Sequence, residues 1–158
     1  MIYSIDVNIE APVRDTEVTD RVADSVTNVF PNADLTHEPG KLVAEGHSLD
    51  AFADVLHEQE ILDTARREFH NNATEDGFSF ALKKQAAYEG VVNFSVGNPD
   101  ELGDIEVDVT VREPDVHDFI DYLVPETEEG TPVEGGREYG ERREAQRETR
   151  REPDASEY

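Results

Sequence analysis

Apolar and polar residues alternate along six short stretches of the chain, and this period of two predicts six β-strands. In the first stretch, Tyr3, Ile5 and Val7 would line one face of a sheet while the residues between them face solvent. Pro39-Gly40 is a tight-turn signal that would join the second and third strands as a hairpin. The predicted strands cover about residues 3–10, 33–38, 41–46, 78–83, 92–96 and 105–112.

Apolar residues spaced three and four apart predict four helices among these strands. The first helix carries Val18, Val22 and Val26 and ends before Pro31, and the last one ends at Pro125. The predicted helices cover about residues 18–30, 48–58, 61–70 and 114–124. The element order is therefore β-α-β-β-α-α-β-β-β-α. Alternating strands with short connections are typical of a mostly antiparallel sheet, so we predict an α+β fold with helices packed on one face.

The hydrophobic periodicity stops at Pro125. Beyond it, glycines are followed by a run in which Arg and Glu fill nearly every position, and no apolar face can form there. We therefore predict a globular α+β domain at residues 1–125 and an acidic, Glu/Arg-rich disordered tail at residues 126–158.

The charge balance is strongly acidic, since 38 Asp and Glu against 14 Lys and Arg give a formal net charge of −24. Self-repulsion of this size destabilises a compact chain unless salt screens it, and at about 1 M salt the Debye length is about 3 Å. The acidic residues are spread along the chain, which favours a halophilic protein over an acidic mimic that binds a basic partner. The chain has no cysteine and no long apolar run, so we expect a cytoplasmic protein without disulfides or a membrane span.

No constellation of catalytic or metal-binding residues emerges from the sequence. His37 and His47 would lie far apart along the predicted hairpin, and His57 and His70 fall on different helices, so we predict no metal site. The sequence contains no glycine-rich phosphate loop and no nucleophile elbow. Pairs of carboxylates are so frequent in this acidic chain that they do not indicate an active site. The sequence thus predicts a non-enzymatic protein that needs no cofactor.

Two pairs of adjacent basic residues stand out in the predicted domain, one on the third predicted helix and one at the end of the fourth predicted strand. With their neighbours they form our candidate RNA-binding set: Arg66, Arg67, Lys83, Lys84, Gln85 and Tyr88. The adjacent lysines favour two interpretations equally, a phosphate or nucleotide site and local ion pairs with nearby carboxylates. If the connection after the third helix brings the arginines close, the whole set borders one groove. We expect Lys84 and Tyr88 at the surface, so that replacing either leaves the melting temperature nearly unchanged.

Two motifs resemble the signature of a small archaeal protein family. They are Ile-Leu-Asp-Thr-Ala-Arg at residues 61–66 and Phe-Ala-Leu-Lys-Lys-Gln-Ala-Ala-Tyr-Glu-Gly at residues 80–90. The family is described as uncharacterised, RNA-binding and exosome-associated, and the resemblance extends over about residues 1–124. It implies an α+β fold similar to a large-subunit ribosomal protein that binds ribosomal RNA, and it carries over no catalytic residue. The motif positions that carry over are Asp63, Thr64, Arg66, Lys84, Gln85 and Tyr88.

The resemblance also implies partners, because some relatives are fused to a P-loop kinase-like domain related to dephospho-coenzyme A kinases. We therefore predict a non-enzymatic RNA-binding or RNA-processing accessory protein of a halophilic archaeal cytosol, with RNA or an exosome as its partner. The alternative is a protein-interaction module that accompanies or regulates a P-loop kinase-like protein.

Overall fold

The computed structural model describes residues 2–128 and 131–132 of the chain. Within these residues the elements are β1 (Ser4–Pro12), α1 (Thr19–Val29), β2 (Asp34–Glu38), β3 (Lys41–Gly46), α2 (Asp50–Glu58), α3 (Leu62–Asn71), β4 (Gly77–Leu82), α4 (Lys84–Tyr88), β5 (Ile105–Glu113), α5 (Val116–Leu123), β6 (Thr127–Glu128) and β7 (Thr131–Pro132). None of the helices in the described part of the chain has the length and apolar character needed to cross a membrane.

Strands β1 to β5 form one antiparallel sheet in the order β2-β3-β1-β5-β4, and β6 pairs with β7 separately. The alternation along each strand decides which side chains meet the helices. In β1, Ile5, Val7 and Ile9 are buried while Ser4 and Asn8 are exposed, and β5 repeats this pattern. The predicted α+β fold with a mostly antiparallel sheet is confirmed.

The core between sheet and helices is held by stacked phenylalanines. Phe52 of α2 lies between Phe30 and Phe80, with ring centroids 4.9 and 5.2 Å away, and Phe69 of α3 lies 4.8 Å from both Phe78 and Phe80. Each such pair contributes about 0.5–1.5 kcal/mol beyond its burial. These rings therefore fix α2 and α3 over β4, the edge strand from which the motif at residues 80–90 begins.

The strand predicted at residues 92–96 does not form. Only an isolated bridge between Phe94 and Leu82 links this segment to β4, and the short helix α4, which the sequence did not predict, precedes it. The side-chain amide of Gln59 replaces a neighbouring strand: its Nε2 donates to the Val92 carbonyl at 3.1 Å and its Oε1 accepts from the Val92 amide at 2.7 Å. Gln59 thus satisfies the backbone of Val92, while the backbone of Asn93 and Ser95 pairs with Lys83 and Ala81.

The face of the sheet turned away from the helices is acidic. On this face Glu10 lies directly opposite Glu106 in the register of β1 and β5, and Lys41 binds the Glu10 carboxylate at 3.2 Å. Like charges placed directly across a strand pair destabilise it. We call this surface the open face and define it by five residues of the two central strands: Asp6, Asn8, Glu10, Glu106 and Asp108.

The chain stays in contact with the helices beyond Pro125, where we predicted the domain to end. The hydroxyl of Thr127 donates to Asp63 at 2.7 Å, and Arg66 lies 3.6 Å from the Glu126 carboxylate. Residues 129–130 and 133–158, which make up most of the predicted disordered tail, lie outside the described residues. The division at residue 125 therefore stays a prediction.

Candidate functional site

Helices α1 and α4 pack side by side and, with the loop before β5, line an open cavity of about 460 Å³. Asn28 of α1 fixes the contact, because its side-chain amide donates to the carbonyls of Ala87 and Tyr88 at 3.2 and 2.9 Å. Both carbonyls belong to the last turn of α4, where helix carbonyls run out of intrahelical partners, and that of Ala87 also accepts from the Gly90 amide at 2.9 Å. We call this space the α1–α4 cavity and define it by six of its lining residues: Val18, Arg21, Lys84, Gln85, Tyr88 and Leu102.

Lys84 is buried in the floor of the α1–α4 cavity, with 7% of its surface exposed, so the expectation of a surface lysine is wrong. Its ammonium donates to the carbonyl of Pro12 at 2.7 Å, the carbonyl of Leu102 at 2.6 Å and the carboxylate of Glu17 at 2.8 Å. A lysine ammonium has three protons, and here each finds an acceptor. Lys84 therefore joins the end of β1, the β1–α1 loop and the loop before β5, and has no proton left for a ligand.

Glu17 is the acidic partner in this floor, and its side chain is only 11% exposed. The same Oε1 that binds Lys84 also accepts from the backbone amide of Arg14 at 2.9 Å. For Lys84, the contacts agree with the second interpretation of the adjacent lysines, a local ion pair with a nearby carboxylate.

Tyr88 and Arg21 stand at the rim of the cavity. The Tyr88 side chain is 40% exposed, and the Arg21 guanidinium lies over its ring, 5.9 Å from the centroid. This separation is within the range of a cation–π contact. Gln85 is exposed one turn before Tyr88 on α4 and also lines the cavity. The sequence did not single out Arg21, although its place one residue before the buried Val22 puts it at the boundary of the polar face of α1.

The predicted single groove is not present in the described residues, since neither Arg66 nor Arg67 lines the α1–α4 cavity. Arg66 instead contacts Asp121 at 2.8 Å and the Val124 carbonyl at 3.3 Å, so it holds α5 against α3. Arg67 is exposed on α3, and Lys83 is half-buried at the start of α4. Among the motif positions, Thr64 is exposed on α3.

A histidine pair that the sequence did not reveal lies next to Arg66. The Nδ1 atoms of His70 and His117 are 2.8 Å apart, with ring planes within 7° of each other, and His70 Nε2 lies 3.0 Å from Asp121. One Nδ1 must donate and the other accept, so this bond requires at least one neutral ring. The available signals were the spacings Arg66 to His70 and His117 to Asp121, each i to i+4 on a predicted helix. No group of three metal-ligating side chains occurs among the residues the structure describes.

Three groups outside the cavity have shifted pKa values. A hydrogen bond from Arg112 on the neighbouring strand lowers the pKa of Asp6 on the open face, and the same contact raises the pKa of Arg112. Burial raises the pKa of the Tyr3 hydroxyl, which donates to Asp50 at 3.2 Å. None of these three residues lines the α1–α4 cavity.

Comparison with known proteins links this architecture to archaeal relatives. A family model described as RNA binding matches residues 6–112. A UPF0201 protein of Methanopyrus kandleri is 39% identical over 132 residues, which cover 75% of this chain and 83% of that protein. A UPF0200/UPF0201 protein of Archaeoglobus fulgidus is 33% identical over 131 residues, and the chain spans 40% of its length.

Solved structures show the same fold. The crystal structure of a UPF0201 protein from Methanococcus jannaschii superimposes with a TM-score of 0.75 at 34% identity, covering 81% of this chain and 98% of that one. A DUF54 protein from Archaeoglobus fulgidus shares the fold alone, with a TM-score of 0.54 at 20% identity over 66% of this chain and 82% of that one.

Proposed function

Because this chain belongs to the archaeal UPF0201 family and matches the family model described as RNA binding, we propose that it is a non-enzymatic RNA-binding or RNA-processing accessory protein. The matched residues 6–112 include the sheet from β1 to most of β5 and the helices that border the α1–α4 cavity. We further propose that it works in a salt-rich cytoplasm, which its net charge of −24 supports.

The observation that carries the proposal is the exposed ring of Tyr88. Among the phenylalanines and tyrosines that the structure describes, Tyr88 alone is exposed, while the others are buried or half-buried. Proteins that bind single-stranded RNA stack bases on such rings, and this contact depends little on the protein's net charge. Tyr88, half-exposed and with a guanidinium over its face, is therefore a suitable surface on which an RNA base can stack.

The acidic open face argues that RNA contacts are confined to one side of the molecule. Its carboxylates repel phosphates, and it has no exposed phenylalanine or tyrosine among the residues the structure describes. Within the described residues, four cations have no acidic partner at salt-bridge distance: Arg14, Arg21, Arg67 and Lys83. Of these four, Arg21 lines the α1–α4 cavity, and we expect it to supply the phosphate contact.

Binding of a labelled pool of single-stranded and hairpin RNAs to the full chain at about 1 M KCl tests the proposal, since the acidic surface is then screened. We expect single-stranded RNA to bind more tightly than hairpins, because stacking needs unpaired bases. A duplex DNA of matched length is the control. If no RNA binds in conditions where circular dichroism shows the fold intact, the proposal is wrong.

The relative from Archaeoglobus fulgidus supports the second candidate, a protein-interaction module. That protein carries two family designations, and this chain spans 40% of its length, so most of the relative lies outside the matched region. Co-purification from a lysate in about 1 M KCl separates the candidates. RNA or exosome subunits on the bait favour the leading proposal, whereas a P-loop kinase-like protein without RNA favours the alternative.

A further inference from the structure

We propose that the α1–α4 cavity receives one unpaired nucleotide of an RNA strand, with the base stacked on Tyr88 and its phosphate facing Arg21. This inference rests on the proposed function and specifies its site. Lys84, which the sequence assigned to the ligand, acts instead as a positioning residue for the cavity walls.

The first support is the size and apolar lining of the cavity. About 460 Å³ lies within the 300–1,000 Å³ range of small-ligand sites. Val18, Tyr88 and Leu102, which are 57%, 40% and 41% exposed, are half of the large hydrophobic residues exposed in the described chain, and all three line this cavity. Exposed apolar groups that converge on one concave site indicate a partner with an apolar surface, and the flat face of a base provides one.

The second support is the spacing of Arg21 and Tyr88. Two contacts of about 3.5 Å each would be needed to place a flat base between guanidinium and ring, a separation of about 7 Å. The present separation is 5.9 Å, so Arg21 would have to move by about 1 Å. Arg21 is exposed, and its guanidinium has no acidic partner within salt-bridge distance among the described residues. Arg21 is thus a movable side chain that can make room for a base on the Tyr88 ring and turn toward its phosphate.

The third support limits the ligand to one nucleotide. In the floor of the cavity, Glu17 and Lys84 neutralise each other. The remaining charged lining residues are Arg21 against Glu89 and Asp100, which makes the rim slightly acidic. A rim of this kind accepts one phosphate beside Arg21 and repels a run of them, so stacking rather than charge should dominate affinity. The exposed amide of Gln85 offers both a donor and an acceptor to the edge of a base.

The experiment uses the full chain, a labelled single-stranded RNA of about eight nucleotides, and about 1 M KCl. Tyr88→Ala should weaken binding about tenfold to a hundredfold because it removes the stacking surface, whereas Tyr88→Phe should bind like the wild type. Arg21→Gln should weaken binding severalfold, while Arg67→Gln, the matched loss of an exposed arginine on α3, should not. Asn28 holds the backbone carbonyl of Tyr88, so we expect these variants to fold.

Backbone amide shifts in nuclear magnetic resonance spectra locate the ligand. Uridine monophosphate should move the amides of α1 and α4, and ribose 5-phosphate, which lacks the base, should not. RNA binding that is unchanged in Tyr88→Ala and Arg21→Gln would overturn the cavity assignment while the proposed function stands. If the wild type binds the mononucleotide in the cavity but no RNA, both the RNA ligand of this site and the proposed function are refuted.

Discussion

The buried ammonium of Lys84 makes a measurable prediction about stability. Replacing Lys84 with Met keeps the apolar stem and removes the charge that joins Pro12, Glu17 and Leu102. Glu17, with 11% of its side chain exposed, would then be a nearly buried carboxylate without its cation. We therefore expect Lys84→Met to destabilise the fold strongly, in contrast to the small effect that the sequence alone predicted.

The magnitude follows from the loss of one buried ion pair and two carbonyl contacts. Breaking a buried pair by removing one partner costs about 3–5 kcal/mol, a large part of the 5–15 kcal/mol that stabilises a typical domain. For a domain of this size, 1 kcal/mol shifts the melting temperature by about 4 °C. The variant should therefore melt about 10–20 °C below the wild type, measured by circular dichroism at constant salt.

Lys83→Met is the matched control, because the neighbouring lysine has no acidic partner within salt-bridge distance among the described residues. It should melt within about 2 °C of the wild type. The double variant Glu17→Gln with Lys84→Met also removes the unpaired carboxylate charge, and it should recover about 1–3 kcal/mol of the free energy of unfolding. If Lys84→Met melts as high as Lys83→Met, the ammonium is solvated in solution and the reasoning fails.

Three other perturbations test contacts away from the cavity. Deleting residues 126–158 should lower the melting temperature by a few degrees, because it removes the hydrogen bond from Thr127 to Asp63. Deleting residues 133–158 removes no described contact and should leave the melting temperature unchanged. Equal melting temperatures for the two deletion variants would favour a domain that ends at residue 125. The melting temperature should rise from about 0.1 M to about 1 M KCl, where the Debye length falls from about 10 to about 3 Å, and a flat response would count against the salt adaptation. The pKa of the Tyr3 hydroxyl is raised in the folded protein, so its contribution to the free energy of unfolding is complete below the unfolded pKa near 10 and decreases as the pH rises through the folded pKa. The melting temperature of Tyr3→Phe should therefore fall less steeply at alkaline pH than that of the wild type. Identical pH profiles for the two proteins would contradict this.

The sheet could be predicted from the sequence because strand periodicity and turn chemistry are local properties. The turn at Pro39-Gly40 predicted that His37 pairs with Leu42, and the register of β2 and β3 shows this pairing. Helix α4 was missed because five residues are too few for a helical period to be visible. The segment that follows it alternates like a strand, but Gln59, far away in sequence, takes the place of a strand partner at Val92.

The candidate site could be predicted only in part, since long-range contacts decide it. Tyr88 and Gln85 were identified from the motif, and both line the cavity. The burial of Lys84 could not be read from its neighbours, because lysine is usually exposed and its three acceptors come from residues 12, 17 and 102. Arg21 acquires its place at the site only when α1 packs against α4.

The charge of the chain explains why its binding site would depend on geometry rather than on basic residues. Within the described residues, four of the eight lysines and arginines already bind carboxylates: Lys41, Arg66, Lys84 and Arg112. Each of them holds strands, helices or loops together, so few cations remain to release counterions from RNA, and molar salt weakens that contribution further. Stacking of a base on an apolar ring is not an ion pair, so salt has no charge pair to screen in that contact. The buried cation and the exposed aromatic ring thus have separate roles. Lys84 positions the walls of the cavity, and Tyr88 provides the stacking contact that salt does not screen.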